Sequence, residues 1–222
     1  MKPVQLIDVK ESILSENTAL AAELRQRLRA SRTVMVNVMA SPGAGKTSLI
    51  LATIERLAGR FRFAVLEGDL EGTVDAERVA DAGVPCVQIR TGGFCHLDAA
   101  MVERAIDALD LAEIDVVLVE NVGNLVCPAE SDTGAAINVV ILSVPEGDDK
   151  PAKYPPVFRV SDAVVVNKID YLGLEPFDVE SVRRHVLLLN PASTVLPVSC
   201  RTGEGVDGWT RFLTRAIEEA LT

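Results

Sequence analysis

No stretch of this 222-residue chain approaches the roughly 20 predominantly apolar residues that a membrane-spanning helix needs. Its longest apolar runs, such as Asn138 to Pro145, have strand length. The opening residues, Met1-Lys2-Pro3-Val4-Gln5-Leu6-Ile7-Asp8, lack both an apolar core of signal-peptide length and a small-residue cleavage site behind one. A cytoplasmic protein with no membrane role is expected. Basic residues are also in short supply: 22 Lys and Arg against 32 Asp and Glu leave a net charge of −10. A partner bound through counterion release needs a basic face, so nucleic acid is not an expected ligand. Cysteine is limited to four widely spaced residues, Cys86, Cys95, Cys127 and Cys200. In a reducing compartment these are core, metal-binding or reactive thiols, and no disulfide is expected. The chain has no internal repeat and no low-complexity tract.

What remains is ordinary globular material, 48% hydrophobic and 24% charged, of a length that suits one domain with at most a small appendage. Between Val9 and Leu28 the residues Ile13, Leu20, Leu24 and Leu28 fall on one helical face, which predicts a leading helix within residues 1–30. From Thr33 onward, Val- and Ile-rich runs alternate with helix-like segments. Strands are predicted at Val34–Met39, Phe63–Glu67, Cys86–Ile89, Val116–Glu120, Val139–Val144, Ala163–Asn167 and Val195–Val198. Helices are predicted near Lys46–Ala58, Asp75–Ala82, Leu97–Leu109, Val179–Leu189 and Val206–Leu221. Such alternation implies an α/β fold, a mostly parallel sheet of about seven strands with helices on both faces.

The first strand runs into Ala40-Ser41-Pro42-Gly43-Ala44-Gly45-Lys46-Thr47 and then a helix, the setting of a phosphate-binding loop and hence of a P-loop NTPase. Gly43 and Gly45 let backbone N–H groups turn toward phosphates, Lys46 places a positive charge on the β- and γ-phosphates, and Thr47 offers a hydroxyl to Mg²⁺. With Ala44 and Ser48 they form the expected phosphate-binding set, in which Ala40 stands where the pattern has its first glycine. The fourth strand, Asp115-Val116-Val117-Leu118-Val119-Glu120, delivers Glu120 to the carboxyl edge of the sheet, within reach of the magnesium shell. Gly123 is placed to approach a γ-phosphate with its N–H. Asn124 follows where many GTPases carry a water-positioning Gln, so intrinsic hydrolysis is expected to be slow.

Base choice falls to Asn167-Lys168-Ile169-Asp170, directly after an apolar strand. Asp170 can accept from the N1–H and exocyclic amine of guanine, whereas adenine leaves the carboxylate unpaired. Ser199 and Cys200, after the last strand, are expected to present a backbone N–H over the base. The acidic runs Glu67-Gly68-Asp69-Leu70 and Asp75-Ala76-Glu77-Arg78 are candidates for a first switch. Asp69 is favoured for magnesium or water ordering, while Asp75 either joins it or caps a helix. Cys95, His96 and Cys127 suit zinc or nickel, although spacing alone does not separate a metal site from buried thiols. His185 reads as a solvated face residue and Cys86 as the start of a core strand.

Taken together, Ser41–Thr47, Glu67-Gly68-Asp69, Cys95-His96-Leu97-Asp98, the run Glu120-Asn121-Val122-Gly123-Asn124-Leu125-Val126-Cys127-Pro128-Ala129-Glu130, Glu146–Pro151 and Asn167–Asp170 resemble the hydrogenase nickel-incorporation GTPases, the HypB family. These belong to the wider class of dimerising metallochaperone GTPases. The resemblance covers nearly everything after the leading helix and implies a GTPase domain over residues 31–222. It implies GTP and GDP as ligands with Mg²⁺, a nickel or zinc site of Cys95, His96 and Cys127, and a homodimer favoured by GTP. Partners among the hydrogenase maturation proteins and the hydrogenase large subunit are implied likewise. In that family the loop after Glu146 reaches the neighbouring subunit's nucleotide, so Lys150 or Lys153 either contacts it in trans or simply solvates the loop. The N-terminal cysteine motif and histidine-rich tract of some relatives have no counterpart here, since the first cysteine is Cys86 and the first histidine His96. Cys200 and Arg201 replace the more usual Ala and Lys of the base loop.

Other readings differ at defined points. A urease-type nickel GTPase would place Pro between Cys and His, which are adjacent here as Cys95 and His96. A P-loop kinase with a structural zinc need not prefer guanine, against Asn167–Asp170, and a nucleotide-gated binding module would dimerise with negligible turnover. The base assignment makes a direct prediction. Asp170→Asn is expected to lose guanine-nucleotide affinity and gain affinity for xanthine nucleotides, because the amide turns an acceptor into a donor that the O2 of xanthine accepts. Titration calorimetry checks this, and unchanged GDP affinity contradicts the assignment.

Overall fold

The computed structural model describes residues 9–69, 72 and 74–222. Residues 1–8 of the N-terminal segment, Leu70 of the acidic run and the side chain of Ile13 lie outside the described residues. A leading helix α1 (Val9–Ala30) is followed by β1 (Val34–Ala40), α2 (Lys46–Leu57), β2 (Phe63–Asp69), α3 (Val74–Asp81), β3 (Cys86–Arg90) and α4 (Ala99–Ile106). The second half comprises β4 (Val116–Glu120), β5 (Ile137–Ser143), the short helices α5 (Lys150–Lys153) and α6 (Pro155–Arg159), β6 (Ala163–Asn167), α7 (Val179–Leu189), β7 (Thr194–Pro197) and α8 (Val206–Ala220).

The seven strands form one sheet in the order β3-β2-β4-β1-β5-β6-β7, and every neighbouring pair is parallel. A parallel sheet covered on both faces needs strands that are apolar on both sides, which is why β4 and β6 read as hydrophobic runs up to their last residues, Glu120 and Asn167, and β1 as one interrupted only by Asn37. On β1 the alternation is explicit. Val34, Val36 and Val38 pack with Leu49, Ile50 and Ile54 of α2 and with Trp209, Leu213 and Ile217 of α8. Met35 faces the opposite layer, where Leu24 and Leu28 of α1 meet Val102 and Ile106 of α4. A third cluster gathers Met39, Val140 and Val164 over Phe158 of α6 and Val182 and Val186 of α7. The indole N–H of Trp209 donates to Thr53 Oγ1 at 2.8 Å, so α8 is tied to α2 by a satisfied buried polar group.

The leading helix is held at several points. Arg25 Nη2 donates to both carboxylate oxygens of Asp132, at 2.7 and 2.8 Å, and Asn17 Oδ1 accepts the N–H of Ala99 at the start of α4. Capping also explains where α4 begins. Asp98 Oδ1 accepts the N–H of Met101 at 2.8 Å, so the helix starts at Ala99 rather than at the predicted Leu97. No helix is predicted between β5 and β6, yet this segment, which contains Pro151, Pro155 and Pro156, forms α5 and α6. Proline is tolerated in a first helical turn, where its missing N–H has no intrahelical partner to lose. Strand β2 runs two residues past its predicted end, because Gly68 and Asp69 still pair with Ile89 and Arg90 of β3. All four cysteines are free, as expected, and no helix among the described residues is long and apolar enough to cross a membrane.

For the site, the position of β4 matters most. It is inserted between β1 and β2, in register Val38 to Glu120 on one side and Glu67 to Glu120 on the other. Three strand ends meet there at the carboxyl edge of the sheet.

Candidate functional site

Between β1 and α2 the loop turns on Gly43 and Gly45, whose φ angles of 76° and 104° lie in the left-handed region. A Cβ at Gly45 would stand 2.4 Å from Asn167 Nδ2. That contact exists because the loop is clamped from β6: Asn167 Nδ2 donates to Ala44 O at 2.9 Å and Lys168 Nζ to Gly43 O at 2.7 Å. Lys46, Thr47 and Ser48 form the first turn of α2, where unpaired N–H groups and the helix dipole favour an anion.

Next to this turn lies a cleft of about 290 Å³ lined by Gly43, Lys46, Glu67, Asp69, Asp75 and Glu120, among others. Glu120 is buried, with Oε1 accepting from Thr47 Oγ1 at 3.0 Å and lying 3.7 Å from Lys46 Nζ. Glu67 is equally buried beside it, and carboxylate oxygens of Glu67, Asp75 and Glu120 lie within 4.8 Å of one another. Burial, reinforced by the neighbouring charge of Glu120, pushes the Glu67 carboxyl up to about 10. Burial also raises Glu120, opposed by Lys46, the shared proton of Glu67 and the Thr47 hydroxyl. One oxygen of each, Glu67 Oε2 and Glu120 Oε2, is buried with no hydrogen-bond partner. Two orphaned carboxylate oxygens beside a threonine hydroxyl fit a hard divalent cation such as Mg²⁺.

Asp69, the sequence candidate, lines the same cleft, and its Oδ1 accepts the N–H of Gly72 at 3.3 Å. Asp75 is the second residue of α3, not its cap. Glu67 was legible only as part of an acidic run. Its partnership with Glu120 depends on β4 lying beside β2, and the one usable signal was that each follows directly on an apolar run.

On the far side of the loop, Asp170 Oδ1 accepts from Ser199 Oγ at 2.6 Å and Oδ2 pairs with Arg201 Nη2 at 2.7 Å. The Ser199 hydroxyl, followed by Arg201, holds the Asp170 carboxyl below the usual range, so it is an anion ready to accept from donors. The backbone N–H of Cys200 donates to Asn167 Oδ1 at 3.3 Å, and burial pushes its thiol up to about 11. Lys153 is exposed and paired with Asp149, while Lys150 lies over the ring of Tyr154. His185 is exposed, with Nδ1 on its own helix at Ser181 O, and Cys86 sits half-buried at the start of β3.

The remaining candidates converge. Ligand atoms of Cys95, His96 and Cys127 lie within 4.8 Å of one another, with Cys95 Sγ 3.7 Å from His96 Nδ1. A hydrogen bond with Cys127 raises the Cys95 thiol. Two sulfurs and an imidazole are soft and borderline donors suited to Ni²⁺ or Zn²⁺. Phe94 and Val126, the residues before two of these ligands, are 59% and 54% exposed, so the site is rimmed by apolar surface. Asn124 ties the two halves together, donating from Nδ2 to Cys95 O at 3.3 Å and accepting the Val126 N–H at 2.9 Å. At Gly123 a Cβ would come within 2.9 Å of Pro42, so this turn lies against the phosphate loop.

Gly45→Ala tests the clamp. The added methyl meets Asn167 in a left-handed conformation, so GDP and GTP affinity is expected to fall by about 10-fold or more, the equivalent of roughly 1.4 kcal/mol, with the circular dichroism spectrum unchanged. Wild-type affinity in titration calorimetry contradicts it.

Residues 34–197 match the family model described as CobW/HypB/UreG, nucleotide-binding domain. The hydrogenase maturation factor HypB of Azotobacter vinelandii is 46% identical over 95% of this chain and 70% of its own length. Among solved structures, HypB from Helicobacter pylori in complex with nickel superimposes with a TM-score of 0.88 at 38% identity, covering 93% of this chain and 97% of that one. The signal recognition particle 54 kDa protein of Aeropyrum pernix in complex with GDP shares the fold, with a TM-score of 0.57 at 14% identity over 85% of this chain and 48% of that one. The chain belongs to the HypB family of hydrogenase maturation factors, within the CobW/HypB/UreG class of P-loop nucleotide-binding domains.

Proposed function

We propose that the protein is a cytoplasmic GTP-hydrolysing metallochaperone that delivers nickel during maturation of nickel–iron hydrogenase, its metal site coupled to the nucleotide through the segment after β4. The observation that carries this reading is the short path from Gly123, packed on Pro42 of the phosphate loop, to Cys127, grouped with Cys95 and His96.

Nucleotide binding assigns a task to each residue. The N–H groups from Gly43 to Ser48 surround the phosphates and Lys46 neutralises the β- and γ-oxygens. Asp170 selects guanine, and Ser199 and Cys200 close over the base once Arg201 releases the carboxylate. Thr47, Glu120 and Asp69, with Glu67 and Asp75 beside them, would hold Mg²⁺, which supplies charge neutralisation on the bridging and γ-phosphate oxygens. In hydrolysis, water attacks the γ-phosphorus as its bond to the β–γ bridging oxygen breaks, and Gly123 holds a γ-oxygen through its N–H. Asn124 is engaged by Cys95 O and the Val126 N–H, which leaves the attacking water without a dedicated side chain and keeps turnover slow.

Loss of the γ-phosphate releases Gly123 and with it Cys127, four residues on. Cys95, His96 and Cys127 supply three ligands, one short of a tetrahedral site. A second copy meeting the apolar rim of Phe94 and Val126 would complete or bridge two such sites in a GTP-favoured homodimer. Hydrogenase maturation proteins and the hydrogenase large subunit are the proposed recipients of the metal. Lys153 is proposed to reach the partner's nucleotide after leaving Asp149.

Titration of Ni²⁺ and Zn²⁺ with GDP and with a non-hydrolysable GTP analogue tests the coupling. Affinities should differ between the two states by about 5–150-fold, the usual range for linked sites. Cys127→Ala should lose binding in both. Wild-type affinity should weaken as pH falls, because the thiols must lose their protons to bind and Cys95 holds its proton above the ordinary thiol range. Equal affinity in both nucleotide states, or full binding by the variant, contradicts the metal switch.

A further inference from the structure

From the end of β4 across β1 to β5 runs a row of carboxamides, two of them buried, that the proposed chemistry does not use. Asn37 in the middle of β1 is 2% exposed, and Asn121, the residue after β4, is fully buried. Asn121 Nδ2 donates to Asn37 Oδ1 at 3.1 Å, and Asn37 Nδ2 donates in turn to Asn138 Oδ1 on β5 at 3.1 Å. The backbone N–H of Asn121 donates to Val38 O at 3.0 Å. Asn121 is therefore pinned to the central strand both by its backbone and by its side chain.

The carbonyl oxygen of the same side chain has two donors. Asn121 Oδ1 accepts the N–H of Val122 at 2.9 Å and the N–H of Leu97 at 3.1 Å. Val122 precedes Gly123, which lies against the phosphate loop, and Leu97 follows His96. Leu97 is fully buried, and its side chain occupies the space that a Cβ on Gly68 would need, 2.8 Å away. One oxygen thus holds both the nucleotide-side turn and the anchor of the Cys95–His96 loop.

We propose that Asn121 is a positioning residue that couples the Cys95–His96 half of the metal site to the nucleotide. Cys127 is linked to the γ-phosphate by chain continuity from Gly123, and Cys95 and His96 are linked through Asn121 Oδ1. Two donors on one carbonyl oxygen compete for its electron density, so a turn that draws Val122 away tightens the hold on Leu97, and the reverse. The inference rests on the proposed nucleotide-linked metal site and adds the route by which its second half moves.

Two experiments test it. In wild-type, metal-free protein, amide hydrogen exchange read by NMR should show Val122 and Leu97 changing protection in opposite senses when a non-hydrolysable GTP analogue replaces GDP. A Leu97 amide that exchanges alike in both states overturns the inference, whether or not Val122 responds. In the second experiment, Ni²⁺ is titrated into Asn121→Ala in both nucleotide states. The ratio of affinities seen in the wild type should shrink toward one without reaching it, since Cys127 still follows Gly123 while the Cys95–His96 loop no longer follows the nucleotide. A variant that keeps the wild-type ratio overturns the role of Asn121 and leaves the metal switch standing. A wild type with no ratio to lose sinks the metal switch itself. Should the variant fail to fold, the exchange measurement decides by itself, since it needs no substitution.

Discussion

Two carboxylates are buried side by side at the carboxyl edge of the sheet, and the organisation of the site depends on how their charge is handled. Glu67 and Glu120 are paired in register on adjacent parallel strands, and each is 3% exposed or less. Neither can ionise cheaply beside the other in so dry a place, and burial together with the neighbouring Glu120 raises the Glu67 carboxyl, which favours one proton held by the pair. Lys46 provides one compensating charge, at 3.7 Å from Glu120. A divalent cation arriving with the phosphates would supply the rest and displace the proton. On the proposed function, the same pair, costly to bury without a counter-charge, is what would hold a divalent cation beside the first turn of α2.

From that edge the chain has little slack. Glu120 ends β4, Asn121 is fixed to β1, Gly123 lies on Pro42, Asn124 bonds to Cys95 O, and Cys127 closes the group of candidate metal ligands. Each link up to Asn124 is a close contact or a hydrogen bond, and on the proposed function these are the contacts through which a change at the phosphates would reach the thiols. Close-packed segments tend to switch between discrete arrangements rather than deform continuously. On the proposed function, hydrolysis and metal release share one moving part, and by linkage the metal must alter nucleotide affinity by the same factor.

The features that were legible in the sequence are those written in consecutive residues. The phosphate loop, Asn167–Asp170 and the apolar strand ending in Glu120 each combine a local pattern with a strand end. The alternation of strands and helices was enough for the fold class, confirmed by the sheet and by the structural neighbours. Lateral strand order was not legible. Without β4 between β1 and β2 there is no reason to join Glu67 and Asp75 to Glu120, or to suspect that Asn37, Asn121 and Asn138 form a row. The candidate metal ligands lie between these cases, because Cys95 and His96 are adjacent but Cys127 is brought in from a different loop by tertiary structure. The short helices α5 and α6 were not predicted, and the pairing of Arg201 with Asp170 depends on two loops meeting at the sheet edge.

Nickel K-edge X-ray absorption on the Ni²⁺-loaded protein tests, at the ion itself, the proposal that the nucleotide reshapes the metal site. With GDP and with a non-hydrolysable GTP analogue, two distinct spectra are expected, with a different sulfur count or different nickel–sulfur distances as Cys127 moves relative to Cys95 and His96. Superimposable spectra in the two states would contradict it.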